Sequence, residues 1–328
     1  MNRLILATAL LAFTVILVGA FTRLTDAGLG CPDWPGCYGF LTPTAAEANA
    51  DLALSRYPDR PLELVKAWAE MGHRYIASLL GMLILVIAAL SWRTPQRGHG
   101  LALVALVLCQ GALGMWTVTL NLMPVVVMGH LLGGLTLFCL LILLWLRRRA
   151  EPPAAEPGLV LPATLALIAL IGQIVLGGWT SANYAAVVCT SLPICEGDWW
   201  HSLNFAKAFS LIQPDAPSYE FGILDYGARM TIHVTHRLWA LVTAALLLYL
   251  AWRLMMRRAW RRLGQAIALM TLLQVGLGVA NVVLQLPLAV AVAHNGGAAL
   301  LAVLLVSANY LLRARVPSPD PAGEEVPC

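Results

Sequence analysis

Eight apolar runs alternate with polar segments along the chain, near 4–22, 69–92, 100–120, 125–146, 159–180, 229–252, 264–284 and 288–312. A hydrocarbon core about 30 Å thick is crossed by about 20 residues of α-helix, and a helix satisfies its own backbone N–H and C=O groups where no water is present. The pattern therefore predicts an all-α integral membrane protein with eight spans. No small-residue cleavage site lies ahead of Arg23-Leu24-Thr25-Asp26, so the first run reads as a retained helix and not as a signal peptide.

The runs repeat as a set of four. His73 recurs as His236 at an offset of 163, His130 as His294 at 164, and Cys31 and Cys37 as Cys189 and Cys195 at 158. Near-constant offsets of this size mark a tandem duplication. Between the copies stands Arg147-Arg148-Arg149-Ala150-Glu151-Pro152-Pro153, a charged linker that no membrane helix would carry. The division expected is 1–150 and 151–328, each a four-helix bundle. An even number of spans inserts both copies the same way up, with a pseudo-two-fold axis along the membrane normal.

Composition agrees with this class: 59% of residues are hydrophobic and 12% charged, outside the range of soluble domains. Charge adds orientation. With both termini cytoplasmic, the inner segments hold 13 of the 21 Lys and Arg residues, from Arg3 through Arg93, Arg97 and Arg147 to Arg149, then Arg253, Arg257, Arg258, Arg261, Arg262, Arg313 and Arg315, as the positive-inside rule requires. Topology thus accounts for the net charge of +4, and no nucleic-acid partner is expected. Each half then reads as a long outer loop, a short inner loop and a tight outer turn, at Asn121-Leu122-Met123-Pro124 and Gln285-Leu286-Pro287. The helices before those turns carry Gln110-Gly111-Ala112-Leu113-Gly114 and Gln274-Val275-Gly276-Leu277-Gly278, small residues expected to allow close helix packing.

Of the seven histidines, four sit a turn or two inside apolar helices at the outer side. A lone histidine there is more often a packing residue than a ligand, but a polar side chain is expensive in hydrocarbon, and repeating that cost at matched positions requires a shared reason. Imidazole suits zinc, copper and iron. Neither half supplies the third and fourth ligands of a compact zinc site, whereas two histidines facing across a bundle can hold the iron of a flat macrocycle from both sides. Haem is the better fit. Arg74 and Arg237 follow the histidines directly, where propionates would emerge; snorkelling at the interface is the other reading.

One position separates the halves. Glu70-Met71-Gly72-His73-Arg74 aligns with His233-Val234-Thr235-His236-Arg237, so Glu70 corresponds to His233 and shares a helix face with His73. A carboxylate there can move a proton or stabilise developing positive charge, or it can pair with an arginine or cap the helix entrance. Arg23, whose counterpart is Ser181, is a second one-sided residue, suited to a propionate or to anchoring a loop. The C-x5-C segments 31–37 and 189–195 lie in outer loops, and two intraloop disulfides are expected, structural in the first instance and with a redox role open. Cys109 and Cys139 read as inert helix residues, and Cys328 ends a polar tail. Trp34, Tyr38, Trp68, Trp199 and Trp200 read as outer-loop, interface aromatics.

Taken together, Thr22-Arg23-Leu24-Thr25-Asp26-Ala27-Gly28-Leu29-Gly30-Cys31-Pro32-Asp33-Trp34-Pro35, Glu70-x-x-His73-Arg74, His130, His236-Arg237 and His294-Asn295 resemble the bacterial haem A synthase family over essentially the whole chain. The resemblance implies conversion of haem O to haem A, a pyrrole methyl oxidised to a formyl group through a hydroxymethyl stage. It implies substrate haem between His73 and His130, a haem b cofactor between His236 and His294, and Glu70 as the catalytic carboxylate. It further implies the bacterial inner membrane with haem sites toward the periplasm. Haem O synthase (protohaem farnesyltransferase), terminal oxidase assembly factors, membrane lipid and a redox partner of unspecified identity are the partners implied. Two other classes fit the histidines alone: a di-haem b electron-transfer cytochrome linked to quinol, and a duplicated transporter.

Overall fold

The computed structural model describes residues 1–149 and 155–313; Ala150 to Pro153 of the linker, Arg315 and Cys328 lie outside them. Eight helices among the described residues are long and apolar enough to cross a membrane. In chain order these are α1 (Asn2–Leu24), α4 (Leu64–Ser91), α5 (Arg97–Thr119), α6 (Pro124–Arg147), α7 (Pro157–Ala182), α9 (Tyr226–Met255), α10 (Arg261–Val283) and α11 (Leu288–Arg313). The short helices α2 (Pro43–Ala48) and α3 (Ala50–Arg56) lie in the first long loop, and α8 (Phe205–Ala208) in the second.

Local chemistry sets the boundaries. Pro124 and Pro157 open α6 and α7, where a missing N–H costs nothing, and Asp225 caps α9 by accepting from Ala228 N at 2.8 Å. The tight turns repeat in detail: Asn121 and Leu122 have φ of 50° and 65°, and Gln285 and Leu286, 164 positions on, have 57° and 61°. Two spans are longer than their apolar runs. α4 begins at Leu64 instead of near 69, which makes Trp68 a helical residue and corrects its expected place in the loop, and α9 runs from Tyr226 instead of near 229. Hydropathy marks only the apolar run, while these helices continue beyond it and rest against the short helices of their loops.

Packing closes two circuits. α1 packs on α4, α4 on α5, α5 on α6 and α6 on α1; likewise α7 on α9, α9 on α10, α10 on α11 and α11 on α7. Between the circuits α1 meets α11, α6 meets α7, and α6 meets α11. Buried Ile5, Ile84, Leu103 and Leu141 belong to one apolar core, and Leu159, Leu247, Leu250 and Leu305 to another. Large apolar side chains such as Leu10, Met82, Leu108, Leu241 and Leu269 point outward, as suits a surface solvated by hydrocarbon.

Candidate functional site: two histidine pairs and a one-sided carboxylate

In each circuit the two histidine-bearing helices stand diagonally across from each other: α4 and α6 in the first, α9 and α11 in the second. His73 lies nine positions into α4 and His130 six into α6, about 13 Å and 9 Å along helices entered from the same end. Their ring centroids are 6.4 Å apart with the planes at 80°. Two metal–nitrogen bonds of about 2.0–2.1 Å, with about 1.1 Å from each nitrogen to its ring centre, make about 6.3 Å. The separation of the first pair matches that sum, so the space between the two rings is wide enough for one metal ion. Nδ1 of His73, His130 and His294 is buried without a hydrogen-bond partner, a deficit that a ligand in the site would relieve through reorientation or coordination. No group of three or more His, Cys, Asp or Glu among the described residues is placed to hold a metal ion.

Each imidazole rests in a notch left by a glycine on the preceding helix. A methyl on Gly19 would come within 2.9 Å of His73 Cε1; on Gly114, 3.3 Å of His130 Cε1; on Gly177, 3.1 Å of His236 Cε1; on Gly278, 3.3 Å of His294 Cε1. The four glycines repeat at the offsets of the duplication, 158 and 164. Sequence reasoning assigned Gly114 and Gly278 to close helix packing and overlooked Gly19 and Gly177. The structure corrects this: what they admit is an imidazole. The shared offsets were the signal. The glutamines of the same motifs lie against glycines too, Gln110 on Gly133 and Gln274 on Gly297.

Glu70 is 5% exposed and doubly held. Its Oε1 accepts from Arg74 Nη2 at 2.5 Å, and its Oε2 accepts from the backbone N–H of Cys31 at 2.8 Å. The carboxylate thus joins the helix of His73 to the first disulfide, Cys31–Cys37. Arg74 also donates through Nη1 to the carbonyls of Asp33 (3.0 Å) and Gly36 (2.6 Å) inside that loop. The second half repeats the clamp: Arg237 donates to Ser191 O at 2.8 Å and Cys189 O at 2.7 Å, within the loop closed by Cys189–Cys195. Both predicted disulfides are present. Both arginines bind loop carbonyls, a connection invisible in the linear chain because it spans 38 to 48 positions.

Arg23 crosses between the halves. Its Nη2 donates to Ser181 O at 2.7 Å, its guanidinium lies 3.9 Å from the centre of the Tyr184 ring, and Asp26 stands 3.8 Å away. Ser181 is its own counterpart in the duplication, so equivalent positions meet here. Outside the spans, burial raises the phenol of Tyr38 above its ordinary range, keeping it a donor to Pro61 O at 2.6 Å. A hydrogen bond from Thr190 lowers the carboxyl of Glu196 to about 2, so it stays an acceptor for the second disulfide loop. The other histidines are dispersed: His99 contacts Leu140 O at 2.8 Å, His201 is exposed beside Asp198, and His233 is buried where the first half has Glu70. Cys109 and Cys139 are free thiols in α5 and α6.

The profile of the COX15-CtaA family, described as cytochrome oxidase assembly protein, matches residues 2–306. The chain belongs to that family. It is 54% identical over 311 residues to Heme A synthase of Shewanella oneidensis, covering 93% of this chain and 94% of the relative. Against Heme A synthase of Erythrobacter litoralis it is 30% identical, with 89% and 91% covered, and against that of Rhizorhabdus wittichii 28%, with 93% and 92%. In this family member the notches offer a direct test. Gly19→Ala and Gly177→Ala should each lower stability by about 1–3 kcal/mol, the usual effect of overpacking, and Gly177→Ala should also reduce the haem recovered with the purified protein. An unchanged melting temperature in both, with unchanged haem content in Gly177→Ala, would show that the notches do not seat the imidazoles.

Proposed function

We propose that this chain is a haem A synthase, an oxidoreductase that converts a pyrrole methyl group of haem O to the formyl group of haem A through a hydroxymethyl stage. The observation that carries the proposal is the asymmetry within the repeat: two histidine pairs in matching glycine notches, and a buried carboxylate, Glu70, beside the first pair alone. A protein that only moved electrons between equivalent haems would have no use for it, and a transporter would not need two such pairs.

In this reading residues 1–150 hold haem O between His73 and His130, and residues 151–328 hold haem b between His236 and His294. Haem b supplies one-electron redox exchange when bound. Glu70, fixed by Arg74 and by the Cys31 N–H, takes up or releases a proton at the reacting methyl or balances positive charge there. The Arg74 clamp sets the first disulfide loop over the mouth of that site and limits water entry. Arg23, Arg74 and Arg237 are the candidates for the propionates, the first from a guanidinium seated on a carbonyl at the end of α7 and the other two from guanidiniums seated on loop carbonyls. Exchanging the halves turns the α1–α11 contact into α7–α6 and leaves α6–α11 unchanged, which supports two bundles about a pseudo-two-fold axis along the membrane normal.

The arginine distribution supports a bacterial inner-membrane protein with cytoplasmic termini and both haem sites toward the periplasm. Its partners would be haem O synthase, terminal oxidase assembly factors and a separate redox protein. The test is pigment analysis of cells expressing the chain with and without a haem O supply. Haem A is expected only when haem O is available; a purified protein that shows haem absorbance yet never yields a formyl-bearing haem would identify a cytochrome instead.

A further inference from the structure

Beside His236, but not beside its counterpart His73, the helix that provides the notch also provides a polar side chain. Gln173 is one turn before Gly177 on α7, and its amide nitrogen lies 3.1 Å from His236 Nδ1, 3.4 Å from His236 Nε2 and 3.3 Å from His236 O. The amide oxygen of Gln173 is buried with no partner. At the same place in the first half, one turn before Gly19, stands Val15, which packs into the apolar core. The two notches are thus alike in glycine and opposite in polarity.

We propose that Gln173 is a positioning residue for His236, holding its imidazole in the tautomer and orientation of a permanent haem ligand, and that Val15 leaves His73 without such support so that the first site can release its haem. This rests on the reading that each histidine pair takes a haem. When Nε2 of an imidazole is given to iron, Nδ1 carries the proton and needs an acceptor. The amide of Gln173 is already within hydrogen-bond distance, and turning it over presents the oxygen that now lacks a partner. A hydrogen bond from Nδ1–H makes the imidazole a stronger donor to iron, favours the ferric state and restrains the ring. A catalyst that must keep one haem and discharge another benefits from placing this bond in one half only.

The experiment is a redox titration of the full chain carrying His73→Ala, produced without a haem O supply so that the bound haem is the one in the second half. Loss of an outer-shell partner typically changes metal affinity 10–100-fold; a tenfold preference between ferric and ferrous haem is 59 mV for one electron. Gln173→Val should raise the reduction potential by about that amount and speed loss of haem to an acceptor protein such as apomyoglobin. Gln173→Glu, a stronger acceptor, should move the potential the other way, a reversal that mere packing would not produce. If Gln173→Val fails to accumulate, Gln173→Glu alone decides, and a potential that does not fall overturns the proposal. Haem bound with unchanged potential in both variants overturns it while leaving the two-haem reading intact; no haem bound in the His73→Ala parent overturns both.

Discussion

Glu70→Gln should abolish formation of haem A while leaving the protein folded and the second-half haem in place. The neutral amide keeps an oxygen for the Cys31 N–H, now bonded at 2.8 Å. Arg74, losing its anionic partner, retains the carbonyls of Asp33 and Gly36. The large penalty of leaving a buried charge unpaired, about 3–5 kcal/mol where nothing compensates, is therefore mostly avoided. What is removed is the capacity to exchange a proton or to offset positive charge, worth about 10²–10⁴-fold in rate for a positioned acid or base. Product yield measured by haem extraction should fall by that factor, with the reduced-minus-oxidised spectrum of the second-half haem unaltered. Normal haem A yield from this variant would take Glu70 out of the chemistry.

The second large effect divides the histidines by half. His236→Ala and His294→Ala should each lose the haem that copurifies with the protein, because the two ligands come from diagonally opposite helices and the loss of either leaves the iron held from one side. His73→Ala and His130→Ala should retain that haem and lose turnover of haem O. Haem content per polypeptide and haem A formation, measured on the same four preparations, separate the outcomes. Equal loss of the copurifying haem from both pairs would overturn the division of labour between the halves.

Much of this was legible from the sequence, for identifiable reasons. Hydrocarbon forces a long apolar run onto every span, so the eight helices stand out without any tertiary knowledge, apart from extensions such as Leu64 to Trp68 in α4. Duplication preserved offsets, so the histidine pairs and both disulfide loops announced themselves twice. Glu70 was conspicuous because its counterpart is a different residue type. The glycine notches were present at the same offsets but went unread, since a glycine in an apolar helix has many uses and only a neighbour's position selects one.

Other features depend on how the loops fold back. Nothing along the chain says that Arg74 and Arg237 reach the carbonyls of the disulfide segments, that Glu70 receives the Cys31 N–H, or that Arg23 spans the two halves to Ser181. Each is a directional hydrogen bond between residues 38 to 158 positions apart, and its existence depends on distances and angles that no periodicity encodes. Span number, duplication and candidate ligands follow from the linear order, because solvation by lipid and repetition act on the chain locally. The seating of each imidazole, the anchoring of the carboxylate and the unequal polarity behind His73 and His236 follow from the packed helices alone, because they are set by which side chain happens to stand opposite which.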